Sequence, residues 1–99
     1  MRKGILEYCI LLAINNHEAY TFDILQQLRD GGLEVVEGTI YPLLTRMKNN
    51  GYLSYRWEES TQGPPRKYFS LTPEGREMLS ELEQSYSELE TLIHHLKSV

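Results

Sequence analysis

The 99-residue sequence predicts a mainly α chain with one small β-hairpin, on three observations. Apolar residues recur at helical spacing in three segments of the first half. Two short, aromatic-rich segments then flank a turn containing glycine and proline. The last quarter carries an unbroken heptad pattern. At roughly 100–200 residues per domain, the length allows a single core.

Arg2 to Asn15 reads as the first helix, because Ile5, Leu6, Cys9, Ile10, Leu12 and Ala13 recur at spacings of three and four. Its apolar residues cover more than half the circumference, so burial on more than one side is expected. Asn15, Asn16 and His17 break it. Thr21 is placed to cap a second helix, Phe22 to Arg29, with Phe22, Ile24, Leu25 and Leu28 as its apolar positions and Gly31-Gly32 as its stop. In the third helix Ile40, Leu43, Leu44 and Met47 follow the i, i+3, i+4, i+7 template, and Gly51 stands where a C-terminal glycine belongs. Pro42 is expected within its first turn, where a missing backbone donor costs little.

Tyr52 to Trp57 alternates as a strand, Ser60 to Pro65 is a turn, and Arg66 to Leu71 is the second strand of the hairpin. Thr72, Pro73 and Glu74 open the last helix, with proline at its first position, and it runs to about Lys97. Leu79, Leu82, Tyr86, Leu89, Ile93 and Leu96 form its heptad seam. At 1.5 Å per residue this helix is ~37 Å long. A chain of this size has a radius of gyration near 13 Å when compact. The helix is therefore expected to outrun its own domain, and a second copy is the simplest cover for the seam.

Three helices followed by a hairpin is the order of a winged helix-turn-helix, whose third helix enters the major groove of DNA. The expected organisation is a winged-helix DNA-binding unit, residues 1–72, and a C-terminal dimerisation helix, residues 73–99, in one structural domain. Gly38 and Pro42 add little bulk to the outer face of the third helix. Thr39, Tyr41 and Thr45 offer hydroxyls there, and Arg46 offers charge. The plainer reading is an ordinary solvated helix face. Arg66 and Lys67, just past the hairpin tip, suit backbone or minor-groove contact, or else form a charged edge that discourages aggregation.

The net charge of −4 is unusual for a nucleic-acid binder, but its distribution is uneven. Residues 37–76 hold six basic and four acidic side chains, whereas residues 77–99 hold one basic and five acidic. Local fields are set by charges within ~8–10 Å, so a positive face is compatible with an acidic chain. The acidic balance leaves one competing reading, a winged-helix module that binds another protein. No catalytic set and no metal site is expected. Cys9 is a lone cysteine in an apolar run, Glu58-Glu59 has no histidine partner within reach, and His94 and His95 point ~100° apart on one helix. No cofactor is implied. The longest apolar run, Tyr8 to Ile14, is far short of the ~20 residues that span a membrane. With one cysteine and no secretory signal pattern, the expected compartment is a reducing cytoplasm.

Gly38-Thr39-Ile40-Tyr41-Pro42-Leu43-Leu44, Arg46-Met47 and Gly51-Tyr52-Leu53 resemble the PadR family signature. So do Gly63, Arg66-Lys67-Tyr68-Phe69-Ser70-Leu71-Thr72 and Gly75, and in the first helix Gly4, Leu6, Glu7 and Ile10-Leu11. The resemblance covers nearly the whole chain, and the single short C-terminal helix is similar to the small subfamily that includes multidrug-responsive repressors. It implies a homodimeric repressor that binds a double-stranded DNA operator and answers to small molecules. Thr21 stands where the family commonly has glycine. Val36 stands where a capping Ser or Asn is common, which leaves the cap of the third helix unassigned. Multidrug members carry tryptophan, facing a pore between subunits, at the position of Tyr86. By that analogy an apolar or aromatic effector would meet Ile5, Tyr8, Tyr86 and Leu89. The plainer reading of Tyr86 is a core aromatic with its hydroxyl at the rim.

Overall fold

The computed structural model describes residues 3–60 and 62–99. The elements in chain order are α1 (Lys3–Ile14), β1 (Ala19–Tyr20), α2 (Thr21–Asp30), α3 (Glu37–Asn49), β2 (Leu53–Glu58), β3 (Arg66–Leu71) and α4 (Pro73–Lys97). Arg2 and Thr61 lie outside the described residues. The fold is the expected one, four helices with a small antiparallel sheet and a long last helix.

The core lies where α1, α2, α3 and the sheet converge. Ile10, Leu11, Ile14, Ile24, Ile40 and Leu44 are its most deeply buried side chains. Burying one such side chain stabilises by about 1.5–3 kcal/mol. Two apolar positions depart from the expected inward set. Leu12 and Phe22 face solvent, and Leu11 and Ile14 take the inward positions on α1.

The sheet has three strands, in the order β1-β3-β2. The two-residue β1 had no sequence expectation. It pairs Ala19 with Phe69 and Tyr20 with Tyr68, and so covers the edge of β3. Its presence moves the start of α2. Thr21 is the first helical residue and is buried, so it is not the cap; Tyr20 takes that place with extended backbone. The carboxylate of Asp23 accepts the Tyr20 N–H at 3.3 Å, which supplies part of a capping box.

α3 begins at Glu37, with Val36 as an N-cap that has no capping side chain. Pro42 is therefore the sixth helical residue rather than part of the first turn, and it cannot donate to the carbonyl of Gly38 four positions earlier. Gly51, with φ of +86°, closes the C-terminal end, where the left-handed conformation favours glycine.

α4 is clamped to that same turn. The Thr72 hydroxyl donates to the Gly51 carbonyl at 2.6 Å and accepts the Gly75 N–H at 2.9 Å. The Thr72 N–H donates to the Tyr52 carbonyl at 3.2 Å. A Cβ at Gly75 would lie 2.1 Å from that carbonyl oxygen, so only glycine fits. From this anchor α4 projects. The radius of gyration is 15.3 Å and the extents are 59 × 28 × 21 Å. Leu79 is buried and Leu82 and Tyr86 are half-buried, but Leu89, Ile93 and Leu96 are 47%, 42% and 58% exposed.

Candidate nucleic-acid interface

The interface is built from α3 and the β2–β3 hairpin. Packing of Ile40, Leu43, Leu44 and Met47 into the core turns Thr39, Tyr41, Pro42 and Thr45 outward, and all four are exposed. Arg46 lies on the flank of α3, half-buried, and its guanidinium is paired with the carboxylate of Glu7 on α1. A charge held in this way is partly neutralised by the chain itself.

The hairpin is in register from Leu53↔Leu71 to Glu58↔Arg66. Alternation places Leu53, Tyr55 and Trp57 on one face, opposite Leu71, Phe69 and Lys67. At the base of the hairpin this face is core. Toward the tip it emerges, and Trp57 is 61% exposed. The Lys67 ammonium stands over three rings, 4.3 Å from the centre of Tyr55, 5.2 Å from Trp57 and 5.9 Å from Phe69. Lys48, on α3, lies 5.4 Å from the centre of the same Tyr55 ring. Arg66 lies 4.8 Å from the centre of Tyr20. Cation–π contacts of this kind orient a charge while leaving its donors free for an anion.

A groove of about 400 Å³ separates the hairpin from α3. Tyr41 and Thr45 line its helix wall, Trp57, Arg66 and Lys67 its hairpin wall, and Tyr20 and Phe22 its end. Of the expected DNA-contact residues, the structure therefore brings Tyr41, Thr45, Arg66 and Lys67 onto one groove. Thr39 and Pro42 lie on the same exposed side of α3, and Arg46 is turned toward α1. Across the outer face of the sheet, Arg56 holds Glu18 through two hydrogen bonds of 2.7 and 2.9 Å, and these hold the Glu18 carboxyl below its usual range.

The arrangement suits a duplex, with hydroxyls and a small helix face for the major groove and cations on an adjoining hairpin for phosphates. Residues 10–81 match the transcriptional regulator PadR-like family. The chain belongs to this family. It is similar over 97% of its length to a PadR-like transcription factor from Bacteroides fragilis, with 57% identity, a TM-score of 0.88 and 93% of that chain covered. A transcriptional regulator from Streptococcus is 39% identical, with a TM-score of 0.86 and 96% and 94% of the two chains covered. A PadR-like regulator from Bacillus cereus is also 39% identical, with a TM-score of 0.85 and coverage of 95% and 92%. PadR-like proteins are DNA-binding transcriptional regulators, so this one is not an enzyme. Among the described residues, no helix is long and apolar enough to cross a membrane, and no cluster of His, Cys, Asp or Glu is arranged to hold a metal ion.

The residues expected to meet an effector fall elsewhere in this PadR-like chain. Tyr8 of α1 and Tyr86 of α4 stack with centroids 4.6 Å apart and planes within 8°. Burial, followed by the nearby Glu83 and Glu90 carboxylates, raises the Tyr8 phenol above its ordinary 10.0. Of the other two, Ile5 on α1 is half-buried and Leu89 on α4 is exposed.

Sequence reasoning missed four participants: Glu7, Tyr20, Phe22 and Trp57. Trp57 was legible as a strand residue. It alternates within Tyr52 to Trp57, but the alternation does not say which face is open, and sequence carries no sign that the hairpin outruns the core. Glu7 contacts Arg46 across 39 positions of chain, a distance that local periodicity does not reach.

Proposed function

We propose that this PadR-like chain is a ligand-responsive transcriptional repressor, acting as a homodimer on a double-stranded DNA operator in the cytoplasm. The observation that carries this reading is the groove in which the exposed hydroxyl face of α3 confronts Arg66 and Lys67. Residues 1–72 supply the DNA-binding surface, with Thr39, Tyr41, Pro42 and Thr45 toward base edges and Arg66 and Lys67 on phosphates. Arg46 joins the phosphate contacts when it exchanges Glu7 for the duplex. Residues 73–99 supply the dimer contact. The exposure of Leu89, Ile93 and Leu96 on an otherwise soluble helix supports this, because a second copy would remove that apolar stripe from water. An effector, apolar or aromatic, would enter between subunits at Ile5, Tyr8, Tyr86 and Leu89, displacing the Tyr8–Tyr86 stack.

The test is selection of bound fragments from genomic DNA, followed by anisotropy titration of the enriched duplex across a range of salt. Each phosphate-bound cation releases condensed counterions, so Arg66→Ala and Lys67→Ala should each flatten the log–log salt slope by about one per contact. Recovery of no enriched duplex, with no salt-dependent retention on random DNA, would exclude the DNA-binding reading and favour a protein partner for the same face.

A further inference from the structure

We infer that Trp57 is a direct, uncharged contact to DNA, packing its indole against sugar or base surface in the groove entered by the hairpin. This inference rests on the DNA-binding reading above and adds to it a residue of a different physical kind. The motive is an imbalance in the structure. Trp57 continues the core-facing side of β2 beyond the core, and it is 61% exposed. Phe22 and Tyr41, 55% and 50% exposed, line the same groove. Three large aromatic side chains left open on one concave surface mark a binding site rather than chance exposure.

The occupant is decided by charge. Lys67 and Arg66 line the groove, the Lys67 ammonium stands over the Trp57 and Tyr55 rings, and Lys48, outside the groove lining, approaches Tyr55. Among the described residues that line the groove, the one carboxylate is that of Glu37. Cations beside exposed aromatic rings fit a polyanion that also offers apolar surface, and a duplex offers phosphates on its ridges with deoxyribose and base surface next to them. An acid-poor apolar helix from a protein partner would bury these ammonium groups without pairing them, which is costly. Aromatic and apolar side chains that enter a DNA groove act by packing and partial unstacking, without releasing counterions. Trp57 and Lys67, though adjacent in space, therefore contribute to affinity in two separable ways.

Trp57 is the sole tryptophan of the chain, so the contact reports on itself. Intrinsic emission is recorded while the tightest duplex from the selected pool, end-labelled, is followed by anisotropy in the same titration. The inference expects Trp57 emission to change and saturate at the stoichiometry seen by anisotropy. Trp57→Ala should weaken binding by about tenfold or more at fixed salt, with an unchanged salt slope, whereas Lys67→Ala should flatten the slope. Trp57→Phe, checked by circular dichroism for a native hairpin, should retain part of the affinity and decides the matter if Trp57→Ala fails to fold. Duplex binding with unchanged emission and wild-type affinity for both variants would overturn the inference while leaving the DNA-binding reading intact. A Trp57→Ala loss that flattens the slope as Lys67→Ala does would also overturn it, since Trp57 would then act only by posing the ammonium. Emission that responds to protein concentration and not to DNA would overturn it in favour of a second copy on this face. Absence of any anisotropy change would overturn the DNA-binding reading itself.

Discussion

α3 and α4 carry apolar stripes of nearly the same period, yet they end in opposite surroundings. The α3 stripe, Ile40, Leu43, Leu44 and Met47, is buried by α1, α2 and the sheet of its own chain. The α4 seam starts the same way, with Leu79 in the core, and then leaves it; from Leu89 onward it is open to solvent. Helical spacing shows that a face needs cover. It does not show whether the cover is the same chain or another molecule. That information lies in length, because a helix of 25 residues cannot be contained by a core of this size.

The contrast can be broken most strongly at Leu44. Leu44→Ala should cost about 2–5 kcal/mol of stability, independent of protein concentration, by leaving a cavity in a core that cannot collapse around it. Its counterpart is Leu89→Glu. That change should leave the fold of the isolated chain intact but weaken association by about a hundredfold, or roughly 3 kcal/mol, by burying a carboxylate in the seam. Sedimentation of wild type as a monomer at micromolar concentration would remove the assigned cover from α4. Thermal melts of both variants over a range of protein concentration distinguish the two kinds of burial.

The root of α4 offers a middle case. Gly75→Ala should destabilise by about 1–3 kcal/mol, because the added methyl meets a backbone carbonyl that cannot rotate away. The variant should melt earlier without any change in concentration dependence. If it dissociates instead, the clamp at Thr72 governs the seam as well as the root.

The smallest expected effect is a pH dependence at the contact of α1 with α4. The Tyr8 phenol titrates higher in the folded chain than in the unfolded one. Its contribution is therefore fully present below pH 10 and declines as pH rises from there through the folded value, since the unfolded chain ionises first. Tyr8→Phe should flatten the alkaline fall in melting temperature, and an unaltered profile would show that the Tyr8–Tyr86 stack adds no such linkage.

Much of this architecture was legible because it is local. Helix spacing, the Gly51 stop, the Pro73 start and the strand alternation each depend on neighbours within a few residues, and the helix and hairpin order followed from them. β1 was not legible: two residues have no period, and Ala19 and Tyr20 become a strand only because β3 offers them an edge. The cap of α2 was misplaced for the same reason, since that strand takes up the residue before Thr21. At the interface, residue type and helix face singled out Tyr41, Thr45, Arg66 and Lys67. The pairing of Arg46 with Glu7 and the aromatic seat of Lys67 depend on how distant segments pack, and they emerge only in three dimensions.

The clamp that joins Thr72 to Gly51 and Gly75 makes α4 a stiff arm fixed at one end. In a pair of chains joined along their arms, the angle at which each arm leaves the body sets the distance between the two α3 faces. Over ~37 Å, a tilt of about 5° carries the far end by about 3 Å. Successive major-groove faces repeat every ~34 Å, or about 10 base pairs, along a duplex, so such a tilt shifts the preferred half-site spacing by about one base pair. Operator spacing would then be gauged at a turn that touches neither the DNA nor the other subunit.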